Sequence, residues 1–570
     1  MICKMHGVVQ KKTSKLGRWY RSGPIAAGIA LSVFMAGSAS AQETTSPVQD
    51  CAKFLEKTKT VIGLKVGPQA CRLTETSFTF EGQDYVRLDV GLDGTVDGYV
   101  ADEGNYHEYL TNSPDLVFPQ AGNTSPRHRG VATYESAKGA AMVIVYPRDR
   151  GEWNQKMWVM VHGRGASFKE GNLKAWDKNL QPGSPVADLD KYDRLLMGKG
   201  YALVKTHRTS TENVGEIQTK LDDGRTVDWA SFNDTVHYIQ DFAQVAQNMV
   251  KSRLGKATRR TYVYGHSAGA RIGHDVNYTP GLNIRADGSH FFDGVLADDA
   301  AAGTWIPIQM QDGKDVLFAT EADKKDFVPQ VDVVHQMYNN IAPRFDDSPG
   351  SLMSISYLAN KRTNAKLILD KGLGSRQRTY EIRGTSHSGG ETLFGDREQQ
   401  NLPLAAIMDK FFDIVDAWAD KGQEPTHSRS DWAPVGELTA ENTIKYPAIS
   451  FPEISCPRGV YYPSPVSTSS KTAFTPFTGS GIEPLDKNEQ FIDLNRNGVW
   501  DYVETMPQAW RRLGLLASTE PLTQDKYVSC VTGAAELLQQ DGFFSPETAS
   551  AYAEKAKTQD LKPASAMAAN

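Results

Sequence analysis

Cysteine is scarce in this 570-residue chain, which has five, and none stands in a C-x-x-C or Cys/His spacing typical of a zinc site. Cys3 lies in the leader described below. The other four are Cys51, Cys71, Cys456 and Cys530, an even number that fits two disulfides in an oxidising compartment. The pairs Cys51–Cys71 and Cys456–Cys530 are favoured because they close local loops; four free buried thiols are the alternative.

Two further features are missing: an excess of basic charge and a long apolar run. Lys and Arg total 62 against 68 Asp and Glu, for a net charge of −6, so nucleic acid and acidic membrane surfaces are not expected partners. No stretch after residue 41 approaches the roughly 20 apolar residues that span a bilayer. With 40% hydrophobic and 23% charged residues, the chain is expected to be globular, with about three to four domain-sized units.

The first 41 residues have the pattern of an export signal. Six Lys or Arg residues precede a short apolar run, Ile25–Ala36, and the small residues Ala39-Ser40-Ala41 form a cleavage site before Gln42. The apolar run is shorter than a membrane anchor requires. We therefore expect a signal peptide over residues 1–41 and a secreted or periplasmic protein.

Buried strands and amphipathic helices alternate through the middle of the chain. Continuous apolar strands of this kind belong to sheets that helices cover on both faces. The pattern predicts an α/β fold with a doubly wound, mostly parallel sheet. The predicted strands are 141–146, 157–161, 201–205, 261–264, 292–297, 316–320 and 379–382, and the predicted helices include 234–254 and 404–419.

Composition divides the chain further. Short alternating runs predict a β-rich N-terminal segment, residues 42–135, that packs on the α/β domain, residues 136–425. Residues 324–378 interrupt that domain and are expected to form either a lid or a peripheral helical excursion. Beyond residue 425, Pro, Ser and Thr rise and periodicity fades, so residues 426–570 are expected to be an irregular C-terminal extension.

The most informative stretch is a strand, turn and helix centred on Ser267. The apolar run Thr261–Tyr264 leads into Gly-His-Ser-Ala-Gly, and a helix is expected to begin at Ala268. Gly265 and Gly269 flank the serine because a reversal this tight crowds the backbone. The stretch resembles the nucleophile elbow of the α/β-hydrolase superfamily. The alternative is a glycine-rich turn with an incidental serine.

This resemblance implies a catalytic triad in the chain order serine, acid, histidine. His387 fits the histidine because it stands in a small-residue loop directly after a predicted strand; a structural loop histidine is the alternative. His290, His335 and His427 lack that context. A serine hydroxyl needs such an imidazole to take its proton.

The acid has several candidates. The segment after predicted strand 316–320 resembles the superfamily's acid loop, in which an Asp shortly precedes Val-Pro. Asp323 is the first choice there and Glu321 the second. Asp298 and Asp299 follow the preceding strand, where some relatives carry the acid, and remain alternatives. One of these carboxylates would orient the imidazole and stabilise its positive charge.

An oxyanion hole is implied by the same resemblance. The Ala268 amide, at the start of a helix, supplies one donor. The other is expected from a backbone N–H of Gly163 or Arg164, because residues 162–165 (His-Gly-Arg-Gly) resemble the H-G-G-G motif of lipases and esterases. Arg164 replaces a glycine there and could instead reach a substrate carboxylate or simply be solvated.

A second motif lies in the C-terminal extension. Residues 493–504 meet the EF-hand loop pattern D-x-[DN]-x-[DN]-G-x5-E at every position, which predicts a structural calcium site. The adjoining residues 484–492 are a poor entering helix, and Pro507 is expected to interrupt the exit. An acidic, Asn-rich turn is the alternative. The expected ligands are Asp493, Asn495, Asn497, Val499 (through its carbonyl), Asp501 and Glu504.

Together these features predict an exported serine hydrolase that cleaves carboxylic esters, from small molecules or polymers, without an organic cofactor. The same triad would also serve a peptidase or an acyltransferase. A non-catalytic binding protein that retains the fold is a further alternative.

Overall fold

The computed structural model describes 19 parts of the chain. They are residues 64–65, 71–101, 132–162, 189–207, 213–220, 226–231, 233–278, 281–300, 310–311, 314–315, 321–336, 368, 370–386, 402–430, 446–462, 473–477, 491–492, 501–502 and 505–561. A search of these residues finds no helix with the length and apolar character that a membrane span needs.

The described residues form eighteen strands and nine helices. The strands are β1 (Leu64–Lys65), β2 (Cys71–Phe80), β3 (Gln83–Ala101), β4 (Ala132–Pro147), β5 (Lys156–His162), β6 (Ala202–His207), β7 (Asn213–Lys220), β8 (Thr226–Ser231), β9 (Arg260–His266), β10 (Gly294–Asp298), β11 (Met310–Gln311), β12 (Lys314–Asp315), β13 (Gln330–His335), β14 (Gln377–Ile382), β15 (Gly459–Tyr462), β16 (Ala473–Pro476), β17 (Phe491–Ile492) and β18 (Asp501–Tyr502). The helices are α1 (Lys191–Gly198), α2 (Asn233–Leu254), α3 (Ala268–Tyr278), α4 (Glu321–Asp326), α5 (Leu404–Lys421), α6 (Pro452–Ser455), α7 (Met506–Arg512), α8 (Gln524–Gln540) and α9 (Pro546–Thr558).

Ten strands build one mixed sheet in the order β1-β3-β4-β6-β5-β9-β10-β13-β14, and β2 pairs with residues 83–92 of β3. From β6 to β14 every pairing is parallel, whereas β1 to β4 are joined by antiparallel pairings. In the sheet β6 lies between β4 and β5, so these strands do not follow their order in the sequence. This is the mostly parallel α/β sheet that the sequence predicted.

Helices cover both faces of the sheet, as the continuous apolar strands required. On one face α2 and α3 pack against the sheet through side chains such as Phe242 and Ile272. On the other, α1 and α5 pack through side chains such as Leu196 and Phe411. All five residues of β10 are buried, because this central strand is covered from both sides.

Helix α5 confirms the helix expected at 404–419. Its apolar side chains recur at three- and four-residue spacing, so that Ile407, Phe411, Val415 and Trp418 share the buried face. The helix ends where Gly422 adopts a left-handed conformation and its N–H returns to the last turn.

The N-terminal strands belong to the main sheet. β3 pairs along its length with β4, and β4 runs across the boundary expected at residues 135 and 136. The segment thus extends the sheet of the α/β domain instead of forming a layer that packs on it.

Part of the range expected to form a lid or a helical excursion belongs to the main sheet. Residues 324–378 contain β13, which is hydrogen-bonded in parallel between β10 and β14 as a central strand. Its sequence, Gln-Val-Asp-Val-Val-His, is short and partly polar, so its pattern does not predict a strand. The strand predicted at 316–320 lies outside the described residues. Residues 330–335 therefore belong neither to a lid nor to a peripheral helical excursion.

The C-terminal extension completes the sheet. Residues 429 and 449 form hydrogen bonds with the backbone along β14, which would otherwise be an open edge. Ala535 and Phe543, from α8 and the turn after it, join the apolar cluster around α5. The extension is therefore more helical than its Pro-, Ser- and Thr-rich composition predicted.

The disulfide between Cys456 and Cys530 is formed, as the sequence favoured. It joins the residue that ends α6 to the middle of α8. Cys456 lies in a separate apolar cluster with Trp510 and Val531. The pairing of Cys51 with Cys71 stays a prediction, because Cys51 lies outside the described residues.

Candidate active site

Ser267 occupies the sharp turn between β9 and α3. Its φ of 60° is positive, which is uncommon for a residue with a side chain and is typical of strain held at a functional turn. A Cβ on Gly265 would lie 2.1 Å from the carbonyl oxygen of Gly269, so only glycine fits there. The strand, turn and helix predicted from the sequence are thus confirmed.

The first turn of α3 presents backbone donors beside this serine. Ala268 is the first residue of the helix, and the first amides of a helix have no acceptor within it. Together with the helix dipole they favour negative charge at that end. Ala268 thus begins the helix that follows Ser267, and its role as an oxyanion donor stays a prediction.

The second predicted donor follows a neighbouring strand. β5 pairs in parallel with β9, and Val161 lies opposite Gly265. Residues 163 and 164 lie outside the described residues, but the strand that leads to them ends at the same edge of the sheet as the elbow. Their role stays a prediction.

Two buried carboxylates end the next strand. Asp298 is the last residue of β10 and lies opposite His266 in the sheet, and its carbonyl oxygen accepts the Ser267 N–H at 3.0 Å. Its Oδ2 accepts a hydrogen bond of 2.9 Å from the Tyr264 hydroxyl. Asp299 follows with a positive φ of 51° and a fully buried side chain. Of the two alternative acids, Asp298 is bonded to the elbow through its carbonyl oxygen, and Asp299 is bonded to β13 through its N–H, which donates to the Val333 carbonyl oxygen.

His335, which lacked the expected sequence context, faces both acids. Its ring Nε2 lies 3.1 Å from Asp298 Oδ1, outside good hydrogen-bonding geometry, and its backbone N–H donates to Asp299 Oδ1 at 3.0 Å. Its Nδ1 lies 2.6 Å from the carbonyl oxygen of Ser386. We name Asp298, Asp299 and His335 the Asp–Asp–His cluster.

Burial and charge act in opposite directions on the pKa values of this cluster. Burial alone would lower the pKa of His335, but Asp299 and Asp298 outweigh it and raise that pKa to about 9. Burial would likewise raise the pKa of Asp298, yet His335 and then His266 hold it below its usual value. At neutral pH the cluster thus contains one imidazolium and ionised Asp298.

One signal indicates that His335 lies at the site: it is the last residue of β13. The carboxyl ends of parallel strands meet at one edge of a sheet, which is where α/β proteins place their sites. The sequence showed His335 but not its strand, so the link to Asp298 was missed.

His387 itself lies outside the described residues, and its role stays a prediction. Ser386, the residue before it, is buried and contacts His335. Ser386 therefore lies near the end of β13. Neighbouring strands lie about 4.8 Å apart, so β13 is roughly 10 Å from β9.

The predicted acids Asp323 and Glu321 have a different location. Their side chains lie outside the described residues, so the assignment stays a prediction. Their helix, α4, precedes the amino end of β13, and the Val328 N–H beyond it donates to Asn277 at the far end of α3. That edge is opposite the one where Ser267 follows β9.

Most of the predicted calcium loop also lies outside the described residues. β17 directly precedes the loop and pairs with β18, which holds the ninth and tenth loop positions, so that Ile492 lies opposite Asp501. Pro507 does not interrupt the exit as expected, because it occupies the first turn of α7, where a missing N–H costs nothing. Thr505 caps that helix, so a helix follows the loop directly.

Comparisons with known proteins add little to this site. No protein-family model and no curated protein sequence matches the chain. Among solved structures, a poly(aspartic acid) hydrolase from Sphingomonas sp. KT-1 is 15% identical with a TM-score of 0.26, over 43% of this chain and 86% of that one. A poly(3-hydroxybutyrate) depolymerase from Bordetella parapertussis is 15% identical with a TM-score of 0.27, over 50% and 86%.

An esterase from Rhizomucor miehei is 10% identical with a TM-score of 0.28, over 65% of this chain and 89% of that one. TM-scores this low carry no weight for function. The fold assignment rests on the order of the strands and on the elbow.

Proposed function

We propose that this chain is a serine hydrolase that cleaves carboxylic esters through an acyl-enzyme on Ser267. The observation that carries the proposal is the strained serine at the elbow, placed between a buried strand and the N-terminus of α3. Strain of this kind persists only where the surroundings impose it, and here Gly265 and the bond to Asp298 do so.

In the proposed reaction the Ser267 hydroxyl attacks the acyl carbon while the imidazole of His387 takes its proton. The negative charge that develops on the acyl oxygen faces the Ala268 amide and the donor expected at Gly163 or Arg164. Return of the proton from His387 to the leaving oxygen expels the alcohol. Water then attacks the acyl-enzyme by the same steps and releases the carboxylic acid.

We assign the acid of the triad to the pair Asp298 and Asp299 and not to Asp323. Both carboxylates are buried at the edge of the sheet that carries Ser267. A buried carboxylate there stabilises the imidazolium that forms on His387. Asp323 would have to act from a segment that leads to the opposite edge.

The proposed substrate is an ester of a small molecule or of a polymer, and no organic cofactor is required. An alcohol leaves a tetrahedral intermediate more readily than an amine does, so an ester demands least of this machinery. Export would place the enzyme outside the cytoplasm; the Cys456–Cys530 disulfide supports that location because such bonds persist in oxidising compartments.

We also propose that residues 493–504 bind one structural calcium ion. Oxygen ligands at these positions suit Ca²⁺, and Gly498 permits the sharp turn of such a loop. Support comes from the antiparallel pairing of β17 with β18 and from α7, which begins just after Glu504.

The serine hydrolase proposal is tested with a fluorophosphonate probe and a panel of p-nitrophenyl esters and peptide anilides. Wild-type protein should be labelled and should hydrolyse esters, and Ser267→Ala should lose labelling and at least a thousandfold in kcat. His290→Ala, at an imidazole distant from the elbow turn, is the matched control and should retain both. A folded protein that is never labelled would favour a binding function, and cleavage of anilides alone would make it a peptidase.

A further inference from the structure

Tyr264 lies on β9, three residues before Ser267, and other aromatic rings surround its ring. The Tyr264 side chain is buried. Its ring centroid lies 5.3 Å from that of Phe412 on α5 and 5.9 Å from that of Tyr192 on α1. Because close packing restricts a buried ring to one rotamer, the position of the hydroxyl oxygen is fixed as well.

The Tyr264 hydroxyl donates to a carboxylate on the neighbouring strand, β10. Asp298 Oδ2 accepts this hydrogen bond at 2.9 Å, and both residues are buried. The Asp298 carbonyl oxygen accepts the Ser267 N–H at 3.0 Å. Asp298 is thus bonded to the elbow strand and its turn through both its side chain and its backbone, and the two bonds fix where its carboxylate lies relative to the elbow.

The other oxygen of this carboxylate has no hydrogen-bond donor among the described residues. Asp298 Oδ1 is buried, and His335 Nε2 lies 3.1 Å from it but outside good hydrogen-bonding geometry. A buried acceptor without a donor costs free energy and is rare in folded proteins. Since Tyr264 occupies Oδ2, Oδ1 is the oxygen of this side chain that can accept a hydrogen bond in the reaction.

The carboxylate of Asp299 is used differently. Its Oδ1 accepts the backbone N–H of His335 at 3.0 Å, and its own backbone N–H donates to the Val333 carbonyl oxygen at 2.8 Å. In a regular parallel pair of strands a backbone carbonyl would accept that His335 N–H. The carboxylate takes the place of this carbonyl, so the Asp299 side chain extends the pairing of β10 with β13.

We propose that Tyr264 is a positioning residue: its hydroxyl fixes the carboxylate of Asp298, which is the acid of the triad, whereas Asp299 supports the sheet. The inference rests on the proposed function. A carboxylate held in one orientation stabilises the imidazolium that forms when the serine proton is transferred. Tyr264 itself needs no contact with the substrate, so it acts on the rate and not on substrate binding.

The first experiment removes the Tyr264 hydroxyl and keeps its ring. In Tyr264→Phe the Asp298 carboxylate loses one donor while the aromatic packing stays. We expect kcat and the rate of fluorophosphonate labelling to fall about tenfold, with KM within about twofold of the wild-type value.

Tyr262→Phe is the matched control. Tyr262 is also buried, lies on the same face of β9 two residues further from Ser267, and donates its hydroxyl hydrogen to Asp416 on α5. The same atom is therefore removed from the same kind of bond. This variant should lower the melting temperature, as Tyr264→Phe does, and leave kcat unchanged.

A double-mutant cycle identifies the acid through which Tyr264 acts. Asp298→Asn alone should lose at least about a hundredfold in kcat, because an amide carries no charge. In protein that already carries Asp298→Asn, Tyr264→Phe should lower kcat by less than about twofold. In protein that carries Asp299→Asn, Tyr264→Phe should keep its cost of about tenfold.

The proposal is overturned if Tyr264→Phe keeps the wild-type kcat, or if Tyr262→Phe loses as much. It is also overturned if Tyr264→Phe costs the same factor with and without Asp298→Asn. If Ser267→Ala keeps full activity, the proposed function itself fails. Should Asp298→Asn not fold, the comparison of Tyr264→Phe with Tyr262→Phe, which leaves every acid in place, decides alone.

Discussion

At the scale of single residues, what could be predicted from the sequence was local. Ser267 was recognisable because its glycines and its strand are its neighbours in sequence, and the clash at Gly265 explains why. His335 was not recognisable, because its partners lie 37 and 51 positions away along the chain, at Asp298 and Ser386. Contacts across strands depend on register, which periodicity does not reveal.

The charge on His335 predicts how stability changes with pH. The folded pKa, about 9, exceeds the unfolded value of 6.5, so its contribution is complete below pH 6.5 and is lost as pH rises through 9. The shift corresponds to about 3 kcal/mol. Urea unfolding of wild type and His335→Asn at several pH values from 7 to 10 should show their difference shrinking.

The titration of Asp193 and Asp298 falls mainly outside the pH range of this stability measurement. Burial, with Asp190, raises the pKa of Asp193 to about 7, so its effect falls mainly below the window. The lowered pKa of Asp298 acts only in acid. A difference between the two proteins that stays constant up to pH 10 would contradict the charged ring.

At the scale of elements, periodicity identified the helices and strands with strong patterns. α5 and β5 lie where the sequence placed them because continuous or amphipathic apolar patterns determine their faces. β13 was missed because half of its residues are polar, and α8 and α9 because the composition before them suggested irregular chain. Strand register and packing partners determine whether these segments form strands or helices, and a local sequence pattern reveals neither.

The disulfide between α6 and α8 is expected to stabilise the extension. Cys456 and Cys530 are 74 positions apart, and removing the bond that closes this loop should cost about 2–4 kcal/mol in the free energy of unfolding. The double variant Cys456→Ser, Cys530→Ser should therefore unfold at lower urea concentration. Its fluorophosphonate labelling should persist under native conditions, because the bond lies in a cluster apart from the elbow.

A reducing agent provides the control. Dithiothreitol should lower the stability of wild type more than that of the double variant, because the variant retains only the predicted Cys51–Cys71 pair. Equal stability of oxidised and reduced wild-type protein would mean that the bond contributes nothing.

At the scale of the whole molecule, one long sheet unites segments that composition had separated. The N-terminal strands, the α/β domain and the extension share backbone hydrogen bonds with it. The proposed calcium loop lies between β17 and α7 in the sequence of the extension. Ligand binding to the folded state alone raises its stability by mass action.

Calcium removal should thus lower the melting temperature of the whole protein. EDTA should reduce it, added Ca²⁺ should restore it, and Asp493→Ala should abolish the response, as measured by thermal unfolding. Asp525→Ala, at an exposed acid in the first turn of α8, is the control and should respond as wild type does. Identical melting curves with and without EDTA would contradict a calcium site.

The backbone bonds that residues 429 and 449 make along β14 also bear on biosynthesis. Because a ribosome produces the chain from its N-terminus, these residues emerge only after every strand of the main sheet has been made. Until these residues have emerged, β14 is therefore an unpaired edge strand that can pair with another chain. We expect chaperones of the compartment in which the exported chain folds to engage it late, when β14 has emerged and the residues that cover it have not.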